Sequence, residues 1–238
     1  MSTQNSLNGF TAASTIHKWL RAAHGQLITT IDLDQVRAGL AGSPLGKEVR
    51  VIKDPMPLPI QGCEGMLVRN PDDPAEWGIF YHPDASKERR RFTIAHELGH
   101  FVLHRSKKLT FKCDKESVHL GLDASANLER EADAFASNLL MPGDILRDLL
   151  ADRNINLHLL SEVAQTFGVS FEALCIRFIK YTPLRAILIH WDNGFLKYEW
   201  RSTSAVKTRA RIRRLSDPAE PLRGTLAADS DVDQDWCH

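Results

Sequence analysis

Residues 91 to 105 read RFTIAHELGHFVLHR, and within them His96 and His100 stand four positions apart with Glu97 directly after the first. Phe92, Ala95, Leu98, Gly99, Val102 and Leu103 recur at helical spacing after a polar start at residues 84–86, so the pattern predicts a helix from about Lys87 to His104. HELGH then falls mid-helix. Residues four apart share a helix face, so the two imidazoles can converge on one ion at about 2.0 to 2.1 Å, with Glu97 beside them. Such a pair needs a third ligand from another element. The next helical run, LEREADAFASNLLMP at 128–142, offers Glu129 and Asp133 four positions apart, and Leu128, Ala132, Phe135, Ala136 and Leu139 keep the helical period until Pro142 ends it. Glu131 is rotated from Glu129 by about 200°, at ~100° per residue, and ranks below it as a ligand. Asp133 suits a hydrogen bond to a ligand histidine that fixes its tautomer. A metal held by three protein ligands keeps a position open for water and lowers that water's pKa to about 7, and Glu97 can take the proton. This is metal-assisted hydrolysis of a carbonyl.

The spelling HExxH is short, and the plain alternative is a charged helix surface. Two features weigh against it. Gly99 inside the helix costs about 1 kcal/mol relative to Ala, which calls for a close approach of backbone or substrate there. The second acidic helix supplies the partner that a three-ligand site requires.

Elsewhere the chain reads as scaffold. A helix is predicted at 14–24, capped by Ser14 and stopped at Gly25, and another at 32–41 with an Asp start. Residues 48–52, 65–69 and 77–82 are β-rich runs between Pro, Gly, Asn and Asp, whereas 106–124 are polar and irregular. The last of these runs, WGIFYH, offers an edge on which an extended substrate segment can pair. A further helix begins at Asp144, and residues 156–181 read as two helices around Gly168 and Val169 with Ser170 as the second cap. RAILIH and FLKYEW flank Asp192-Asn193-Gly194, a strong hairpin signal. The basic run at 207–214 alternates as a half-exposed strand, and the acidic end is expected to be mobile. The domain reading is 10–150 for the catalytic part, 155–182 for a helix-turn-helix-like pair, and 184–238 for a β-hairpin extension and tail.

Lys plus Arg equals Asp plus Glu at 30 each, so no global basic field draws the chain to nucleic acid. The four cysteines lack metal-site or disulfide spacing, which predicts free thiols and a cytoplasmic protein. No apolar run is long enough to predict a membrane span. FEALCIRFIKY offers few base-reading side chains, so the helical pair is read as a packing or partner surface, with direct DNA binding unfavoured.

At RFTIAHELGHFVLH and LEREADAFASNLLMP the sequence resembles the ImmA/IrrE-type metallopeptidases, in which an HExxH helix is followed by a helix spelled ExxA(N/D)xFAxxLLMP. The resemblance runs from roughly residue 15 to 181. It implies an α+β, zincin-like metallopeptidase with a small mixed sheet, zinc held by His96, His100 and Glu129, and Glu97 as general base. Members commonly carry Asn where this chain has Asp133, so the tautomer-fixing role there rests on geometry. The family role it implies is cleavage of a helix-turn-helix repressor, relieving transcriptional repression under stress. No DNA-binding domain precedes the first helices, so the repressor is expected as a separate partner. The rival readings are a toxin–antitoxin component that sequesters its partner without cutting it, and a DNA-binding regulator. His104 could approach the site, but at a helix end it is read first as capping carbonyls, and nothing in the spelling selects among Tyr81, His82 and His119 as an oxyanion helper.

Overall fold

The first helix starts where its cap dictates. The computed structural model describes residues 7–25, 29–59, 61–114, 124–192 and 195–211. Helix α1 (Gly9–His24) is capped by Asn8, whose side chain accepts from the Thr11 amide while Thr11 reaches back to Asn8. This reciprocal box carries the helix five residues upstream of the Ser14 start expected from the sequence, and Gly25 ends it at φ 66°. Helix α2 (Leu33–Leu40) begins after Asp32 as the sequence predicts.

Five strands follow: β1 (Val51–Ile52), β2 (Met56–Pro57), β3 (Cys63–Arg69), β4 (Glu76–Tyr81) and β5 (Thr110–Asp114). Their order is β1-β4-β3-β5, with β2 also on β4, and β4 is parallel to β1 and β2 but antiparallel to β3. The result is a small mixed sheet in an α+β fold. Because β4 is paired on both sides, the expectation that WGIFYH presents a free edge is overturned. One edge belongs to β1 and β2 and the other to β5, in a stretch read as irregular. Its signal is weak: Phe111 is its one large apolar residue, and it is buried while Lys112 is exposed, the pattern of a guarded edge strand.

Helix α3 (Lys87–His104) is capped by Ser86, whose hydroxyl accepts from the Arg89 amide. Helix α4 (Ala124–Leu140) opens one turn before the expected Leu128, because its small first turn already buries Ala126. Helices α1 and α3 both pack on α4. A Cβ on Gly9 would lie 2.7 Å from the Glu131 carbonyl and the Phe135 amide nitrogen, so that contact requires glycine. Leu98, Phe101, Ala132, Phe135, Ala136 and Leu139 are fully buried in this layer. Each large member contributes roughly 1.5–3 kcal/mol by leaving water.

Helix α5 (Gly143–Leu150) follows Pro142. The chain divides into two units, one running to Asp148 and taking in Thr166–Val169, the other comprising Leu149–Gln165 and the residues from Ser170 onward. Helices α6 (Leu157–Phe167) and α7 (Phe171–Tyr181), most of whose residues fall in the second, meet at a bend of 108°. Ser170 caps α7 by accepting from the Ala173 amide, and Gly168 takes the left-handed φ of 66° that the turn requires. Strands β6 (Ile187–Asp192) and β7 (Phe195–Arg201) form an antiparallel hairpin packed on α7. The basic run is not a strand at its start: Lys207 ends α8 (Thr203–Lys207), and Arg209 has φ 57°. Ser202, fully buried, organises that corner by accepting from the amides of Ala186 and Ala205 and donating to the Leu184 carbonyl. The acidic end and His119 lie outside the described residues. Among those described, no single helix is long and apolar enough to cross a membrane.

Candidate metal centre

Helix α3 lines up His96, His100 and His104 at i, i+4 and i+8, and it buries all three together with Glu97. Helix α4 supplies Glu129, Asp133 and Glu131. How near the two helices come is set at Gly99, where a Cβ would lie 3.0 Å from Phe135 Cδ1, 3.1 Å from Ala132 Cα and 3.2 Å from the Ala132 carbonyl oxygen. Any side chain at 99 presses α4 away. The glycine expected to mark a close approach therefore marks helix against helix.

Across that contact, His96 Nε2 lies 3.0 Å from His100 Nε2 and 3.1 Å from Glu129 Oε2, and His100 Nε2 lies 3.3 Å from Glu129 Oε1. One ligand atom from each of the three residues falls within 4.8 Å of the others. Donors about 2.05 Å from a tetrahedral ion stand about 3.3 Å apart, so the spacing fits such an ion. The proton inventory fits as well. His96 Nδ1 lies 2.9 Å from Asp133 Oδ1, and a ring nitrogen facing a carboxylate carries the proton. Its Nε2 faces a second carboxylate, that of Glu129, and His100 Nε2, so this end of the ring calls for a positive charge, either a second ring proton or a metal ion in its place.

The electrostatics agree. Burial alone would lower the His96 pKa, but the carboxylates of Asp133 and Glu129, with Glu97 nearby, raise it to about 10. Burial would raise that of Glu129, yet the imidazoles of His100 and His96 hold it well below the usual carboxylate range. Burial lowers the pKa of both His100 and His104. The centre therefore favours one positive charge among its donors, whether a proton or a metal ion.

Two neighbours escaped the sequence reading, and a third, His104, was read first as a cap. Glu97 is fully buried, and a Cβ on Gly65 of β3 would stand 2.7 Å from Glu97 Oε1 and 2.4 Å from Thr93 Cγ2. Gly65 thus leaves the carboxylate its room. The available signal was a glycine inside a strand, which marks a bulge or a close approach, and the β3–β5 register does shift between Cys63 and Gly65. Phe111 stacks on His100 with ring centroids 4.6 Å apart at 19°, and it was missed with its strand. His104 does not cap carbonyls. It is fully buried, with Nδ1 3.1 Å from His100 Nδ1 and Nε2 2.8 Å from Glu131 Oε2. Position i+8 returned it to the ligand face. Tyr81 lies beneath the Arg90 guanidinium, 5.4 Å from it, and His82 Nδ1 accepts from the Asp84 amide.

Residues 58–178 match the family described as the IrrE N-terminal-like domain of a peptidase family. The radiation response metalloprotease IrrE of Deinococcus radiodurans is 28% identical over 115 residues, which are 48% of this chain and 34% of that protein. The match thus spans about a third of that relative's length. A Mycobacterium tuberculosis transcriptional regulator aligns at a TM-score of 0.45 and 18% identity, covering 80% of this chain and 55% of its own. The family match begins ahead of β3, takes in α3 and α4 with every residue of the cluster, and ends within α7, just over half of the sequence. On that coverage the chain belongs to the IrrE N-terminal-like peptidase family.

Proposed function

We propose that the chain is a zincin-like, zinc-dependent endopeptidase of the cytoplasm that hydrolyses a peptide bond in a partner protein, a helix-turn-helix repressor, and so relieves transcriptional repression. One observation carries the reading: three buried or half-buried donors, His96, His100 and Glu129, converge within 4.8 Å beside an enclosed Glu97. In this reading residues 10–150 form the catalytic domain, 155–182 a helical pair, and 184–238 an extension. The stress context follows from the name of the Deinococcus relative, and the repressor from the resemblance in the two motif helices.

A zinc ion held by two imidazoles and a carboxylate supplies Lewis acidity and an activated water at neutral pH. Glu97 accepts a proton from the attacking water and returns it to the departing amine nitrogen. Gly65, having no side chain, leaves room for that carboxylate beside β3. Asp133 keeps the His96 proton on Nδ1, so that Nε2 stays a ligand. Because Asp133 and Glu129 raise the His96 pKa to about 10, metal loading displaces a proton throughout the neutral range, and affinity for the metal falls as pH falls. The extended substrate pairs along β5, the outer strand next to His100.

The test mixes the full chain with candidate repressors, with and without a chelator, and reads products by gel and mass spectrometry. Glu97→Gln should retain zinc and partner binding while cleavage slows about 10²- to 10⁴-fold. Undiminished cutting by Glu97→Gln, or cutting that survives removal of the metal, contradicts the mechanism. Tight binding without any cutting by the parent moves the protein to the sequestering class.

A further inference from the structure

We propose that His104 and Glu131 form a support chain for His100, fixing that ligand's tautomer and ring direction as Asp133 does for His96. The inference rests on the ligand reading above and extends it to two residues outside the donor set.

Counting protons along the chain leads to it. With Nε2 of His100 turned to His96 and Glu129, its ring proton belongs on Nδ1. That atom lies 3.1 Å from His104 Nδ1, and two ring nitrogens so placed form a hydrogen bond only when one donates and the other accepts. His104 Nδ1 is therefore the acceptor, and its own proton sits on Nε2, 2.8 Å from Glu131 Oε2. The hydrogen bonds run in one direction, from His100 through His104 to a carboxylate. Stacking on Phe111 holds the plane of the His100 ring, and the bond to His104 holds its rotation within that plane. Burial supports a role beyond filling space. His104 is 0% exposed, and an imidazole enclosed without partners costs free energy that a leucine there would not. Glu131, on a different face of α4 from Glu129, acts on the ligand group through His104.

The two arms differ in one respect. Asp133 has a side chain 43% exposed, so water can substitute for it when it is removed. His104 is fully buried, so water substitutes for it less readily.

The experiment measures cobalt(II) binding by visible absorption, with zinc competition, on the full chain and on His104→Leu, Glu131→Ala and His104→Gln. The parent should bind one equivalent. His104→Leu should weaken binding about 10- to 100-fold while the metal-free form melts no lower than the parent. Glu131→Ala should fall at the lower end of that range, and because Glu131 is 41% exposed it carries the test if His104→Leu does not fold. His104→Gln, whose amide can accept from His100 and donate to Glu131, should recover most of the affinity. In the zinc-loaded parent, nitrogen-15 NMR should place the ring proton of His100 on Nδ1 and that of His104 on Nε2. Parental affinity in both His104→Leu and Glu131→Ala, or the opposite tautomers, overturns the support chain and leaves the three-ligand reading standing. A parent that binds no cobalt overturns both.

Discussion

Helices α3 and α4 meet backbone to backbone at Gly99 and Ala132, with Phe135 fully enclosed. The β6–β7 hairpin instead leaves Ile189, Phe195 and Trp200 at 37%, 45% and 39% exposed. Polar and aromatic contacts tie the hairpin to α7: the Tyr198 hydroxyl, itself 2.9 Å from His190 Nδ1 across the hairpin, donates to Glu172, and Lys180 sits 4.7 Å over the Trp200 ring. A two-stranded hairpin is marginal on its own, and these contacts tolerate small shifts. The helix pair does not tolerate them. Donors on α3 and α4 must keep their spacing to tenths of an ångström, and close packing with no room for a Cβ is how this sequence holds them.

The sharpest way to break that contrast is to hollow out the helix pair. Phe135→Ala should cost about 3–5 kcal/mol in urea unfolding and lower zinc affinity with it. A loss below about 1 kcal/mol would show that α4 collapses onto α3 without it. Gly99→Ala pushes against the α4 backbone and should cost about 1–3 kcal/mol, a penalty that vanishes if the helices separate freely. On the hairpin, Phe195→Ala should stay within about 0.5 kcal/mol. A cost near that of Phe135→Ala would mean that the hairpin holds core. The smallest effect is expected at Cys175 on α7, whose thiol burial pushes up to about 12. At pH 8 it should resist iodoacetamide in the folded chain, as read by peptide mass spectrometry, and labelling at the unfolded rate would show that α7 is loosely packed.

Legibility followed local chemistry. Helix α3 was readable to the residue because Ser86 is a cap and the apolar period is unbroken. The α6–α7 turn was readable because Gly168 and Ser170 each perform one local task. The short strands β2 and β5 were not, since pairing with distant partners, rather than their own composition, makes them strands. The start of α1 was missed because Asn8 and Thr11 cap it ahead of the first apolar residue counted. At the site, the spelling pointed to His96, Glu97, His100, Glu129 and Asp133. Gly65 offered only the general signal of a glycine inside a strand, because its role is to be small beside a residue 32 positions away. His104 was ranked as a cap because a histidine at a helix end reads that way until the fold buries it.

The central claim is that two imidazoles and one carboxylate, from α3 and α4, hold the metal. Zinc-edge X-ray absorption on the zinc-loaded full chain tests it most directly. Two imidazole nitrogens are expected at about 2.0 to 2.1 Å and a coordinating oxygen at about 2.0 to 2.2 Å, with the imidazole signal halved in His100→Ala. A sulfur at about 2.3 Å, a third imidazole in the shell, or an unchanged spectrum in His100→Ala would contradict it.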